Sequence, residues 1–82
     1  MGSVQRRDEH IIKLVGRNIK KYRDERGLTQ QQLADIIDLD KNLYGQVSKM
    51  ERGVVNTTIS MLAILARALE IEITDLLKEN NP

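Results

Sequence analysis

Apolar residues recur at spacings of three and four along most of this chain, the spacing of amphipathic helices. Ile11, Ile12, Val15, Ile19 and Tyr22 form one such stripe. It predicts a first helix with Asp8 as N-cap, Glu9 in the first turn, and an end near Arg26, where Gly27 suits a left-handed C′ position. A second helix is predicted with Leu33, Ala34, Ile36 and Ile37 on its buried side. Thr29 caps it, and Gln32 three residues later completes a capping box. Ala34 is small enough to sit where two helices cross closely. Leu39, Leu43, Val47 and Met50 draw a third helical face, closed by Gly53. Asp40 and Asn42 are both acceptable N-caps for it, so the third helix starts either at Asp40 or only around Asn42. Gly45 inside it costs roughly 1 kcal/mol relative to Ala.

Val54 and Val55 follow with no evident core role, and Thr58 then caps a fourth helix. Ile59, Leu62, Ile64, Leu65, Ala66, Ala68 and Leu69 make that helix apolar on several sides, as suits the central packing element. Ile71 and Ile73 tuck a connector inward. Thr74 is the expected N-cap of a short final helix, with Asp75 in its first turn, Leu76 and Leu77 buried, and Lys78 near its end. The pattern is that of an all-α fold, a compact domain of five helices. Residues 8–79 read as this single domain, 1–7 as a flexible amino-terminal arm that includes a cloning remnant, and 80–82 as a tail.

Composition narrows what such a bundle can do. Cysteine is absent, which removes disulfides and thiolate metal sites, so the core must come from helix packing. No apolar run approaches the roughly 20 residues of a membrane span, and no signal peptide opens the chain. A cytoplasmic protein with no membrane association is therefore expected. Net charge is only +1, but its distribution is uneven. Residues 1–26 carry +4, residues 27–53 carry −1, and residues 54–82 carry −2. A basic first third beside an acidic last third suits a molecule with one face turned to phosphate. The third helix also has polar residues to spare: Lys41, Tyr44, Gly45, Ser48, Lys49 and Arg52 point outward. They have no structural work inside so small a fold.

Three segments, GLTQQQLA at 27–34, QVSKMERG at 46–53 and TISMLAILARALEIEITDLL at 58–77, resemble the lambda-repressor-like helix-turn-helix family, the XRE or Cro/C1 type. The resemblance spans roughly residues 15–78. It implies a helix-turn-helix at helices two and three, with the second of the pair placed in the DNA major groove, usually in a dimer on a palindromic operator. Carried over residue by residue, Lys49 falls on a base-reading position, with Ser48, Tyr44 and Gln46 as further base contacts. Gln30 falls on the phosphate clamp at the start of helix two. Gln31, Arg52, Lys41 and Asn56 are the other expected phosphate contacts. Arg23 and Glu51 match an ion pair between helices one and three, a structural role. The chain departs from the family pattern at Lys41 to Gly45, which is about three residues longer, close to one helical turn of 3.6. Either helix three or the turn before it takes up the difference. The second departure is Val54-Val55, where relatives often carry basic residues.

The function expected from this reading is a sequence-specific, DNA-binding transcriptional regulator, a repressor acting as a homodimer, with double-stranded DNA as partner. The alternative is an antitoxin or other module that uses the same fold to hold a protein partner. Enzymatic activity is not expected. His10 is the sole histidine, there is no glycine-rich phosphate loop, and no spacing suits metal ligands, so neither a catalytic residue nor a cofactor is assigned.

Overall fold

A computed structural model describes residues 7–37 and 44–79. Four α-helices run in order, α1 Glu9–Glu25, α2 Gln30–Ile37, α3 Tyr44–Glu51 and α4 Ile59–Leu69, followed by a 3-10 helix at Ile73–Leu77. The fold class is all-α, with the fifth element tighter and shorter than an α-helix. Leu39, Asp40, Lys41, Asn42 and Leu43, on which the expected start of the third helix depends, lie outside the described residues.

The helix ends follow from local chemistry. Asp8 Oδ1 accepts the Ile11 N–H at 3.1 Å and opens α1. Gly27, at φ +68°, lets the chain turn back, and Leu28 and Gly27 donate to the carbonyls of Arg23 and Asp24. This is the Schellman closure, which satisfies carbonyls that a helix end leaves over. At α2, Thr29 Oγ1 accepts from Gln32 N at 3.0 Å, and Gln32 Oε1 accepts from Thr29 N at 2.8 Å. The end of α3 repeats the Schellman closure at Gly53, with φ +72°, where Val54 donates to Lys49 and Gly53 to Met50. Thr58 caps α4 through Met61 N. The N-cap of the 3-10 helix is Glu72 rather than Thr74. Glu72 N–H donates to Asp75 Oδ2 at 3.0 Å, so the reciprocal cap bond comes from the carboxylate three residues on, while Thr74 lies inside the 3-10 helix and is exposed. Lys78 Nζ lies 3.0 Å from the other Asp75 oxygen, and these bonds hold the Asp75 carboxyl below its ordinary pKa.

All five elements feed one core. Ile12, Leu14, Val15 and Ile19 come from α1, Leu33 and Ala34 from α2, and Val47 and Met50 from α3. Leu62, Leu65, Ala66 and Leu69 come from α4, and Leu76 comes from the 3-10 helix. Each of the larger side chains contributes about 1.5–3 kcal/mol by leaving water. Three expectations about burial are corrected, for α2, the 3-10 helix and Val55. Ile36 is 55% exposed and Ile37 only half-buried, because α2 rests on the core through Leu33 and Ala34. Ile59 is 80% exposed, since the first residue of α4 lies beyond the edge of the core. Leu77 is 42% exposed, because the 3-10 helix turns Leu76, with Ile73 beside it, towards the core and leaves Leu77 at its edge. Val55, by contrast, packs against the core while Val54 stays exposed.

Helix α1 lies against α3 at a glycine. A Cβ on Gly16 would stand 2.4 Å from the Met50 carbonyl oxygen and 2.8 Å from that of Glu51. Only a residue without a side chain permits this approach. On another flank of α1, fully buried Asn18 donates through Nδ2 to the Leu76 and Lys78 carbonyls, at 2.8 and 2.9 Å. Asn18 therefore seats the 3-10 helix. No helix among the described residues is long and apolar enough to cross a membrane.

Candidate nucleic-acid interface

The site is built outward from one carboxylate. Glu51 is the last residue of α3, and its side chain is 3% exposed. Its oxygens accept from Arg23 Nε at 2.5 Å, from Arg23 Nη2 at 2.9 Å and from Gln30 Nε2 at 2.9 Å. Arg23 also donates through Nη1 to the Leu28 carbonyl at 2.7 Å. One carboxylate thus ties together α1, the first residue of α2 and the end of α3, while Arg23 also binds the turn between α1 and α2. Donation to the Glu51 carboxylate holds the Arg23 guanidinium above its ordinary pKa, against the opposing effect of burial. A bidentate pair of this kind fixes direction as well as distance.

That anchorage sets the face that α3 turns to solvent. Val47 and Met50 point into the core. Gly45, Gln46, Lys49 and Arg52 are exposed, and Ser48 is half-buried beside them. Tyr44 begins the helix, but its side chain, like the whole of Lys41, lies outside the described residues. Gln30 is half-buried and already bound to Glu51 through one amide hydrogen, and Gln31 donates to Asp35 at 2.9 Å. Both sit in the first turn of α2, where backbone N–H groups have no intrahelical acceptor. Asn56 is exposed in the loop after α3. With Gln46, Met50, Val55 and Met61 it borders a shallow cleft of about 180 Å³ between α3 and α4. The structure therefore gathers Gln46, Ser48, Lys49 and Arg52 along α3, with Gln30 and Gln31 at the adjoining start of α2. Lys49 and Arg52 have no side-chain partner among the described residues. No cluster of potential metal ligands occurs among these residues either.

Sequence reasoning passed over Gly16, which lets α1 approach the end of α3, and Asn18, which seats the 3-10 helix. A polar or glycine position on an amphipathic helix reads as solvated. The available signal was that the two border the apolar stripe of α1, one on each edge, rather than lie opposite it.

A helix-turn-helix family profile matches residues 19–76. The control protein C.SmaI of Serratia marcescens is 39% identical over 67 residues, covering 82% of this chain and 76% of that protein. The HTH-type transcriptional regulator RC0668 of Rickettsia conorii, uncharacterized, is 31% identical over 62 residues, covering 76% of this chain; the chain spans 47% of that regulator's length. Among solved structures, a hypothetical transcription factor NHTF from Neisseria superposes with a TM-score of 0.77 at 26% identity, covering 98% of this chain and 90% of that one. The restriction-modification controller protein C.AhdI from Aeromonas hydrophila gives 0.73 at 31% identity, covering 83% of this chain and 94% of that one.

Proposed function

Belonging to the helix-turn-helix family of the XRE/Cro-C1 type, this chain is a DNA-binding transcription regulator, and we propose that it acts in the cytoplasm as a homodimeric repressor on a palindromic operator. The observation that carries this reading is the polar outer face of α3, held by the buried Arg23–Glu51 pair and presenting Lys49 with no partner among the described residues. Lys49 reads a base edge, most naturally guanine O6 and N7, with Gln46, Ser48 and Tyr44 beside it. Gln30, Gln31, Arg52, Lys41 and Asn56 hold the backbone, with α2's free N–H groups assisting. Pairing of two copies is expected because one module this small covers little DNA for tight, specific binding. The control-protein relatives support a controller role, and restriction-modification genes are the first place to look for the operator.

Selection of bound sequences from a random DNA pool tests the proposal. A palindrome with half-sites about one helical turn apart is the expected result, and enrichment of no sequence overturns it. On the selected site, Lys49→Ala is expected to cost about 1–3 kcal/mol and to relax discrimination at one base position. Equal weakening on selected and random DNA would remove Lys49 from the base-reading set.

A further inference from the structure

We propose that the exposed flank of α1 bordering α3 is a second phosphate track, with Lys13 and Arg17 holding the DNA backbone beside the groove that α3 enters. The inference rests on the DNA-binding reading and extends the footprint to a helix outside the helix-turn-helix pair.

Helix α1 presents different flanks to its neighbours. Gly16 and Arg23 face α3, the one against its terminal carbonyls and the other on Glu51. Asn18 faces the 3-10 helix. Turning at about 100° per residue from the α3 side, the helix next presents Glu9, Lys20, Lys13, Asp24 and Arg17, then His10 and Lys21, all exposed, before it comes round towards Asn18. Lys13 lies directly beside the end of α3: a Cβ on Gly53 would be 2.9 Å from Lys13 Cγ and 3.1 Å from its Cα. The flank therefore continues the edge on which Arg52 stands.

Charge pairing singles out the same residues. Arg7 pairs with Glu9, Lys20 with Asp24 at 4.0 Å, Arg26 with Glu70 and Lys78 with Asp75. Among the described residues, Lys13, Arg17, Lys49, Arg52 and Arg67 have no such partner. Four of those five lie on the outer face and end of α3 or on the adjoining flank of α1. The acidic groups nearest this flank, Glu9 and Asp24, are already engaged by Arg7 and Lys20, so they leave Lys13 and Arg17 for an external anion. The flank presents no exposed large apolar side chain for a membrane or a greasy partner surface. Duplex DNA entering at α3 supplies closely spaced negative charge along the same edge.

The test compares wild type with Lys13→Gln/Arg17→Gln, and with Arg67→Gln as a cation on another helix. Binding is measured on a random-sequence duplex and on a pool-selected duplex as salt rises from about 50 to 200 mM. Each lost phosphate contact lowers the slope of log K against log salt by about 0.9, so the double variant is expected to lose about 1.8. Over that range wild type then weakens about tenfold more than the double variant. The loss is equal on both duplexes, Arg67→Gln keeps the wild-type slope, and the unfolding midpoints agree. An unchanged slope in the double variant, or an equal loss per charge in Arg67→Gln, overturns the track while leaving DNA binding standing. Wild-type protein that binds neither duplex overturns the DNA-binding reading and the track with it.

Discussion

A carboxylate buried to 3% exposure is tolerable only because three N–H donors surround it. Removing Glu51 alone leaves the buried Arg23 charge with only exposed Asp24, at 3.3 Å, and the Leu28 carbonyl, whereas removing both partners removes the need for either. Glu51→Leu is therefore expected to destabilise by about 3–5 kcal/mol, while Arg23→Met/Glu51→Leu recovers most of that loss, as read from urea unfolding. DNA affinity of the double variant separates the pair's two jobs. If stability returns but affinity does not, the pair's directional hold on α3 and Gln30 is the part that matters for binding.

At the scale of the element, the glycines of α1 and α3 make opposite predictions from the same propensity scale. Gly45 sits in α3 with nothing within 4 Å of the place a methyl would occupy, so Gly45→Ala is expected to stabilise by up to about 1 kcal/mol. Gly16→Ala gains the same helix propensity but drives a methyl into two backbone carbonyls, which cannot rotate away. It is expected to lose about 1–3 kcal/mol net, seen as a lower unfolding midpoint. This contrast also marks what the sequence could disclose. Caps written within four residues, such as Asp8 and the Thr29/Gln32 box, were legible because both partners lie in one short segment. Thr74 misled because Asp75 supplied the same service from the other direction, to Glu72. Ile36 was misplaced because periodicity gives the direction of a face but not where the neighbouring helix stops covering it. For the interface, sequence spacing located the outward row of α3. It could not show that Gln30 is bound to Glu51, a contact spanning 21 residues.

For the molecule as a whole, α1 joins parts that lie far apart in the chain. Asn18 reaches carbonyls 58 and 60 residues away, and Arg23 reaches 28 residues to Glu51. Asn18→Leu keeps the branched shape, adds bulk, and leaves two carbonyl acceptors without this donor. It is expected to cost about 1–3 kcal/mol, with hydrogen exchange accelerating first around the 3-10 helix. The placement of the anchorage has one more consequence. Helix α3 is fastened at its tail, through Glu51 and the carbonyls under Gly16, whereas Gly45 and Gln46 stand exposed near its head. Tolerance to mutation is thus graded along a single helix. Substitutions at the exposed positions 45, 46 and 49 are expected to leave the fold intact, whereas substitutions at Gly16, Arg23 or Glu51 are not, so a library randomised at those three positions is expected to stay folded.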